Sequence, residues 1–97
     1  MQEMTFHEEA DVELQEAALY YEERAFDLGL TFLEEIYEAT QRVLANPKAY
    51  KLVGDEVRQA PIRRFPYSIL YVDEPDRIRV IAVAHQKRRP GYWHGRL

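Results

Sequence analysis

The spacing of apolar residues changes near Pro47, from the period of a helix to that of a strand. Before this point apolar side chains recur every three or four residues, as one face of an amphipathic helix requires. After it they alternate, or gather in short β-branched and aromatic runs between turn residues. Helices first and strands afterwards are typical of an α+β fold. We therefore predict a short N-terminal strand and an antiparallel helical hairpin, packed on a C-terminal antiparallel β-sheet.

Two amphipathic helices are predicted before Pro47. The first covers about residues 8–27, and Gly29 is expected to end it, because glycine readily adopts the left-handed conformation that ends helices. The second covers residues 30–44 and stops at Asn46, since a residue that precedes proline avoids the helical conformation. The connection between the helices is short, so they should form an antiparallel hairpin.

The segment Met4-Thr5-Phe6 has two interpretations. Thr5, followed three residues later by Glu8, matches a capping box at the start of the first helix. The same residues could instead form a short strand that stops at His7. We favour the strand, which supplies the N-terminal β-element of the predicted fold.

Three strands are predicted after the helices. Residues 57–65 should form an edge strand, because Pro61 cannot donate a hydrogen bond within a sheet. Residues 67–72 and 78–84 should form a hairpin around a turn at residues 73–76. The region around Gly54, between the second helix and the sheet, is expected to be a loop. Alternating side chains of the middle strand are predicted to lie beneath the helices: Phe65, Tyr67, Ile69 and Tyr71.

The length of 97 residues fits one domain that spans residues 1–97. The chain has no cysteine, which excludes disulfides and thiolate metal sites. His7, His85 and His94 lack the spacing of metal ligands. No apolar run approaches about 20 residues, and the first residues do not resemble a signal peptide. We expect a cytoplasmic protein with no metal, no cofactor and no membrane contact.

The charge is divided between the two halves of the chain. Residues 1–46 contain twelve acidic and two basic residues, a formal charge of −10, whereas residues 47–97 contain eleven basic and five acidic residues, a charge of +6. A basic face of this kind could meet nucleic acid or an acidic protein surface. Alternatively, the two halves attract each other. The glutamates of the first helix are interpreted as its solvent-exposed face.

The segment from His85 to Leu97 concentrates cations, imidazoles and two large aromatic rings, without a carboxylate. Arginines beside aromatic rings could bind carboxylates or phosphates while the rings supply contact area. The alternative is a basic tail folded against the acidic first helix. The turn at Pro90-Gly91 is expected to direct Trp93 back onto the sheet. The residues predicted to bind a target are His85, Arg88, Arg89, Tyr92, Trp93 and Arg96.

Four segments in a fixed order, residues 17–22, 29–33, 65–71 and 83–96, resemble the RelE/ParE toxin superfamily of type II toxin–antitoxin modules. The most distinctive string is His85-x-x-Arg88-x-Pro90-x-Tyr92-Trp93, and the likeness is greatest to the ParE side. The resemblance implies the same fold that the apolar pattern predicts. It also implies a cognate antitoxin, ParD-like or similar, encoded beside the toxin and bound to it in a hetero-oligomer.

The superfamily resemblance implies two different activities. RelE-like members cleave mRNA on the ribosome, whereas ParE-like members inhibit DNA gyrase. Cleavage through the 2′-OH needs a proton acceptor, cations for the phosphate and a donor for the leaving oxygen. The candidates for these roles, if the chain is a nuclease, are His85, Lys87, Arg88, Tyr92 and Arg64, with Arg63 beside it.

Two departures from the RelE pattern favour the gyrase inhibitor. Ser68 stands after Tyr67, where RelE-like members tend to have an arginine, and residues 58–61 replace a pair of strand lysines. We therefore predict a ParE-like toxin directed at DNA gyrase, without direct sequence-specific DNA binding. The alternatives are a ribosome-dependent mRNA endoribonuclease and a non-toxic interaction module that acts only within its antitoxin complex.

Overall fold

A five-stranded sheet carries a helical hairpin on one face. The computed structural model describes residues 2–97. The elements in chain order are β1 (Glu3–Phe6), α1 (Glu8–Glu22), α2 (Leu28–Ala45), β2 (Lys51–Leu52), β3 (Val57–Pro61), β4 (Tyr67–Asp73), β5 (Arg77–His85) and a 3-10 turn at His94–Arg96. The strand order is β1-β5-β4-β3-β2, in which β1 runs parallel to β5 and the other neighbours are antiparallel.

The N-terminal segment forms β1, as predicted, and α1 follows it at once. His7 joins the two elements: its backbone N–H donates to the carbonyl oxygen of Val80 at 2.8 Å, and its Nδ1 accepts from the backbone N–H of Glu9 at 3.1 Å. The predicted α+β architecture is confirmed. The complete sheet is mixed, however, because β1 adds a parallel strand to the antiparallel meander.

The first helix ends at Glu22, five residues earlier than predicted. The two carboxylate oxygens of Glu22 accept the backbone N–H groups of Asp27, at 3.0 Å, and of Gly29, at 2.9 Å. Asp27 has a left-handed backbone, with φ of 64°. A side chain of α1 thus satisfies the free N–H groups at the start of α2. The spacing of apolar residues does not reveal this cap between the two helices.

The prediction that Gly29 ends the first helix is wrong, because Gly29 is the second residue of α2. The two helices approach each other closely here. A Cβ atom at this position would lie 2.5 Å from the carbonyl oxygen of Ala18. The glycine is therefore required by helix packing and not by a left-handed turn.

The strand predicted at residues 57–65 is shorter and does not lie at the edge of the sheet. β3 ends at Pro61, and β2 pairs with it through Lys51 and Leu52, where a loop was expected. Pro61 occupies the last position of its ladder, where the missing N–H costs least. Arg64, with φ of 69°, then turns the chain toward β4.

Both faces of the sheet are buried. Beneath the helices the rings of Phe65 and Tyr67 each lie 5.2 Å from the ring of Phe32, and the hydroxyl of Tyr71 donates to the carbonyl oxygen of Pro47 at 2.6 Å. The predicted alternation of the middle strand is therefore confirmed. On the opposite face, a second apolar cluster is covered by residues 86–97, here called the C-terminal segment.

Candidate functional site

A β-bulge in β5 adds an apolar residue to the face of the sheet on which the C-terminal segment lies. Leu70 pairs with Ala82 and Tyr71 pairs with Val80, so Ile81 is an extra residue without a partner in β4. Ile81 and Ala82 consequently both join the apolar cluster beneath the C-terminal segment, whereas Val80 faces the helices. The bulge thereby widens the apolar floor available to that segment.

Trp93 packs on this floor, as the sequence predicted. Its side chain is 4% exposed and lies in one cluster with Leu70 and Ile81. Gly54 allows the close approach of the indole, because a Cβ atom at that position would lie 3.1 Å from Cη2 of Trp93. Burial of one large aromatic ring therefore holds the C-terminal segment against the sheet.

Glu13 joins α1, β5 and the C-terminal segment. Its Oε1 accepts from Nη1 of Arg96 at 2.8 Å and from the backbone N–H of Val83 at 3.0 Å. Its Oε2 accepts from Nη2 of Arg96 at 3.0 Å and from the hydroxyl of Tyr92 at 2.7 Å. The carboxylate thus binds a bidentate guanidinium and two further donors, a geometry typical of strong ion pairs.

The interpretation of the first-helix glutamates as a solvent-exposed face is wrong for Glu13, whose side chain is 14% exposed. Burial alone would raise the pKa of Glu13, but the hydrogen bonds from Arg96, Tyr92 and Val83 outweigh it and lower the pKa. The pKa of Arg96 is raised, chiefly by its hydrogen bonds with Glu13. The pair is therefore ionised at neutral pH.

The Glu13–Arg96 ion pair lies beside the part of β5 that extends beyond β1. β1 pairs with β5 only as far as Val80, so the following residues of β5 have no strand on that side. The N–H of Val83 donates instead to Glu13, and the carbonyl oxygen of Ile81 accepts from Nη1 of Arg96 at 3.0 Å. The Glu13–Arg96 pair thus supplies hydrogen bonds that a neighbouring strand would otherwise supply.

Tyr92 is held between its carboxylate acceptor and two guanidinium groups. The Cζ atoms of Arg88 and Arg96 lie 3.8 Å and 5.0 Å from the centre of its ring. Burial, and next the hydrogen bond to Glu13, raise the pKa of Tyr92 far above its ordinary value. The hydroxyl is therefore a neutral donor that is already bound to a carboxylate.

A cavity of about 200 Å³ opens between the sheet and the C-terminal segment. It contains five of the residues predicted to bind a target: His85, Arg88, Arg89, Tyr92 and Trp93. Apolar side chains, among them Leu70 and Ala84, form part of its wall, and no carboxylate lines it. The result is an apolar recess with a cationic rim.

Three other predicted residues lie elsewhere. Arg96 is bound to Glu13, so the alternative of a basic tail folded against the acidic first helix is correct for this residue. Nη1 of Arg64 lies 3.9 Å from Oε2 of Glu35 on α2. Lys87 does not line the cavity. The five residues proposed for RNA cleavage are therefore not assembled in one recess.

His85 makes local contacts at the end of β5. Its Nδ1 accepts from the backbone N–H of Lys87 at 3.0 Å, and its ring lies 5.1 Å from the ring of Tyr67 in an edge-on arrangement. Further along the sheet, Nε2 of Gln59 donates to the hydroxyl of Ser68 at 3.2 Å. The position where an arginine is typical of RelE-like toxins therefore holds a neutral pair.

The cations at the start of the C-terminal segment are exposed and lack anionic partners. Within residues 2–97, no carboxylate lies within ion-pair distance of Lys87, Arg88 or Arg89. By contrast, Arg79 is paired with Glu74 at 3.1 Å. Unpaired cations beside an apolar recess are a surface suited to an anionic partner.

Within residues 2–97, none of the helices combines the length and the apolar character that a membrane span requires. The same part of the chain contains no cluster of three or more His, Cys, Asp or Glu side chains that could hold a metal ion.

The fold combines an N-terminal strand, a helical hairpin and a mixed sheet, and a basic segment covers the sheet face opposite the helices. This arrangement defines an α+β domain of the RelE/ParE type. The family model described as "ParE toxin of type II toxin-antitoxin system, parDE" matches residues 4–90. The chain therefore belongs to the ParE toxin family, and the resemblance that its sequence motifs indicated is confirmed.

A solved structure shows the same fold. A chain titled "Chromosomal ParDE TA system from P. aeruginosa" matches with a TM-score of 0.77 at 18% identity, over 88% of this chain and 96% of that chain. At this identity the likeness concerns the fold alone. Among curated proteins, none matches the chain.

Proposed function

We propose that this ParE-family toxin arrests growth by inhibiting DNA gyrase through a binding surface, and that a cognate antitoxin neutralises it. The observation that carries the proposal is the recess beside Trp93, in which apolar walls meet the unpaired cations Arg88 and Arg89. A surface of this composition fits an anionic partner that also offers apolar contact. Family membership supplies the toxin class.

Three contacts favour binding over RNA cleavage. The hydroxyl of Tyr92 is bound to Glu13, and its raised pKa makes it a poor proton donor and a poor base at neutral pH. The neutral residue Ser68 stands where a phosphate-binding arginine would be needed. Arg64 is turned toward Glu35. An RNA phosphate in the recess would therefore meet cations without an assembled acid and base.

The antitoxin is expected to bind the outer face of the helical hairpin. Leu30, Leu33 and Tyr37 are exposed on α2 at spacings of three and four residues, so they form one apolar stripe. The exposed carboxylates of Glu34 and Glu38 flank this stripe. An amphipathic antitoxin helix with basic residues beside its apolar face would complement both features.

The test of the function is to induce the chain alone and together with the adjacent upstream gene, while growth, plasmid topology and mRNA are followed. We expect growth to stop and linear plasmid to accumulate, and both effects to disappear when the antitoxin is present. Early loss of mRNA with intact plasmid would show instead that the toxin is an mRNA endoribonuclease. If expression of the chain alone is harmless, the chain is a non-toxic interaction module that acts only within its antitoxin complex.

Variants of the recess distinguish binding from chemistry. We expect the double change Arg88→Ala with Arg89→Ala to abolish growth arrest, whereas Lys48→Ala, which removes an exposed cation elsewhere, should remain toxic. Tyr92→Phe retains the ring and removes only the hydroxyl, so it should remain toxic, while Tyr92→Ala should not. Loss of toxicity in a folded Tyr92→Phe variant would favour the nuclease.

A second variant tests the antitoxin surface. Leu33→Glu places a charge within the exposed stripe of α2. We expect this variant to arrest growth as the parent does but to escape rescue by the antitoxin. Full rescue would show that the antitoxin binds another surface of the toxin.

A further inference from the structure

We propose that Glu13 is the positioning residue of the target-binding surface. This inference rests on the proposed function, since it assigns to a residue of α1 the task of holding the recess in its binding geometry. Glu13 lies far from the C-terminal motif in sequence and is not within ion-pair distance of Lys87, Arg88 or Arg89. It acts on them through Tyr92 and Arg96, which it binds directly.

The C-terminal segment needs such an anchor because its backbone makes few distant hydrogen bonds. The N–H of Gln86 donates to the carbonyl oxygen of Pro66 at 2.8 Å. After Gln86, every hydrogen bond between backbone groups in the segment joins residues three positions apart. Local turns of this kind set the shape of a segment but do not fix it to a sheet. Side chains must therefore place it.

Besides a hydrogen bond from Nη1 of Arg79 to the carbonyl oxygen of Arg96, at 3.3 Å, two groups of side-chain contacts provide that placement. One is the burial of Trp93 on the apolar floor. The other is the Glu13–Arg96 pair, in which the side chains are 14% and 10% exposed. The neighbouring contact from Arg96 to Glu9, at 3.4 Å, involves a carboxylate side chain that is 60% exposed and should contribute little. Glu13 is therefore the principal anion of the anchor.

The anchor reaches the rim of the recess through the ring of Tyr92. Glu13 accepts a hydrogen bond from the hydroxyl of Tyr92, and the guanidinium of Arg88 lies over the same ring at 3.8 Å. Loss of the Glu13 carboxylate would remove the ion pair with Arg96, and the ring of Tyr92 would then no longer hold Arg88 in place. Loss of the Tyr92 hydroxyl alone leaves that ion pair intact, and the guanidinium of Arg96 still lies 5.0 Å from the centre of the ring. The chain of contacts runs from α1 to an exposed cation of the rim.

The proposal is tested with Glu13→Gln in the full chain, and with Glu8→Gln as the matched control. Glutamine has the shape of glutamate but cannot form the ion pair with Arg96. Glu8 is exposed on the same helix and lies outside the cavities that the C-terminal segment lines, so its variant removes an equal charge without touching that segment. Trp93 is the only tryptophan of the chain, and its emission therefore reports whether the segment is docked.

For Glu13→Gln we expect native far-UV circular dichroism, Trp93 emission shifted to longer wavelength and faster proteolysis after Gln86. In a titration of toxin against purified gyrase and supercoiled plasmid, half-maximal cleavage should need at least about tenfold more toxin. A segment that is docked for only a fraction of the time binds its target more weakly in proportion to that fraction. The maximal amount of cleaved plasmid at saturating toxin should therefore be unchanged. Glu8→Gln should match the parent in every assay.

Two results would overturn the proposal. The first is a Glu13→Gln variant that keeps the emission and protease resistance of the parent. The second is a variant with a released segment that still inhibits gyrase at the parental concentration. If Glu13→Gln fails to fold, Arg96→Gln replaces it, because that change leaves Glu13 bound by Tyr92 and Val83. The same outcomes then apply.

Failure of the proposed function is recognised separately. If the parent protein does not inhibit gyrase, the function is wrong, but the emission and proteolysis experiments still decide whether Glu13 positions the segment. If the parent inhibits gyrase and the segment of Glu13→Gln stays docked, only the role of Glu13 is wrong.

Discussion

Replacement of Gly29 by alanine should destabilise the protein, although alanine is the better helix former. In an exposed helix interior this change would add about 1 kcal/mol of stability. Gly29 is buried, however, and the new methyl group would lie 2.5 Å from the carbonyl oxygen of Ala18 and 2.9 Å from Cβ of Glu22. Ordinary contact distances are about 3.5–4.0 Å. The two helices would therefore have to separate.

The magnitude follows from the contacts that this separation disturbs. Overpacking of a well-packed site costs roughly 1–3 kcal/mol, and the atom approached is backbone, which cannot rotate away. Weakening of the hydrogen bond from the Gly29 N–H to Glu22, 2.9 Å long, adds about 1 kcal/mol. Subtraction of the helix-propensity gain leaves a net loss of roughly 1–3 kcal/mol. For a chain of this size, each kcal/mol lowers the melting temperature by about 4–8 °C.

The assay is thermal and urea unfolding followed by far-UV circular dichroism. Gly95→Ala is the matched control, because a Cβ atom at Gly95 meets nothing within 4 Å. We expect the control to stay within about 0.5 kcal/mol of the parent, as substitutions outside special sites usually do. A Gly29→Ala variant as stable as the parent, or more stable, would refute the close helix approach as the reason for glycine.

Three further predictions concern the anchored segment and the core. Trp93→Ala should lower the free energy of unfolding by about 3–5 kcal/mol in urea titrations, because it empties the apolar floor; a loss below about 1 kcal/mol would contradict this. Acidification should release the segment: the lowered pKa of Glu13 means that its stabilising contribution is present above its ordinary value of 4.5 and is lost as pH falls through the folded-state pKa. Trp93 emission should shift accordingly, and Glu13→Gln should abolish the shift. Burial raises the pKa of Tyr71 to about 12, so its contribution is complete below about pH 10 and declines up to pH 12. Urea titrations across this range should show a smaller decline for Tyr71→Phe, whereas Tyr37→Phe, at an exposed position, should leave the decline unchanged.

Much of the fold could be predicted because local patterns carry it. The four-residue period of the helices and the alternation of β4 report which side of each element is apolar, and burial then selects the α+β arrangement. Boundaries depended on contacts between different elements. The end of α1 is accompanied by a cap from Glu22 to the start of α2, and β3 is covered by a strand of only two residues. Neither feature has a local signal.

The candidate site was predictable to a similar degree. A carboxylate-free run of cations and aromatic residues indicated a binding segment, and five of its residues do line one recess. Glu13 was missed because its position in an acidic helix gives it the pattern of an exposed side chain. The need for a substitute acceptor and donor at this edge follows from β5 extending beyond its neighbour β1, and that pairing is visible only in the structure.

The sequence alone determined most of the helices and strands, the family and the composition of the C-terminal segment, since these follow from the order and chemistry of neighbouring residues. Only the tertiary structure decided which charges are paired. Arg96 and Arg88 belong to the same basic segment, yet one is bound to a buried carboxylate and the other is exposed over the ring of Tyr92. The physical reason is that ion pairing and desolvation depend on distances between residues up to 83 positions apart, which no local pattern contains.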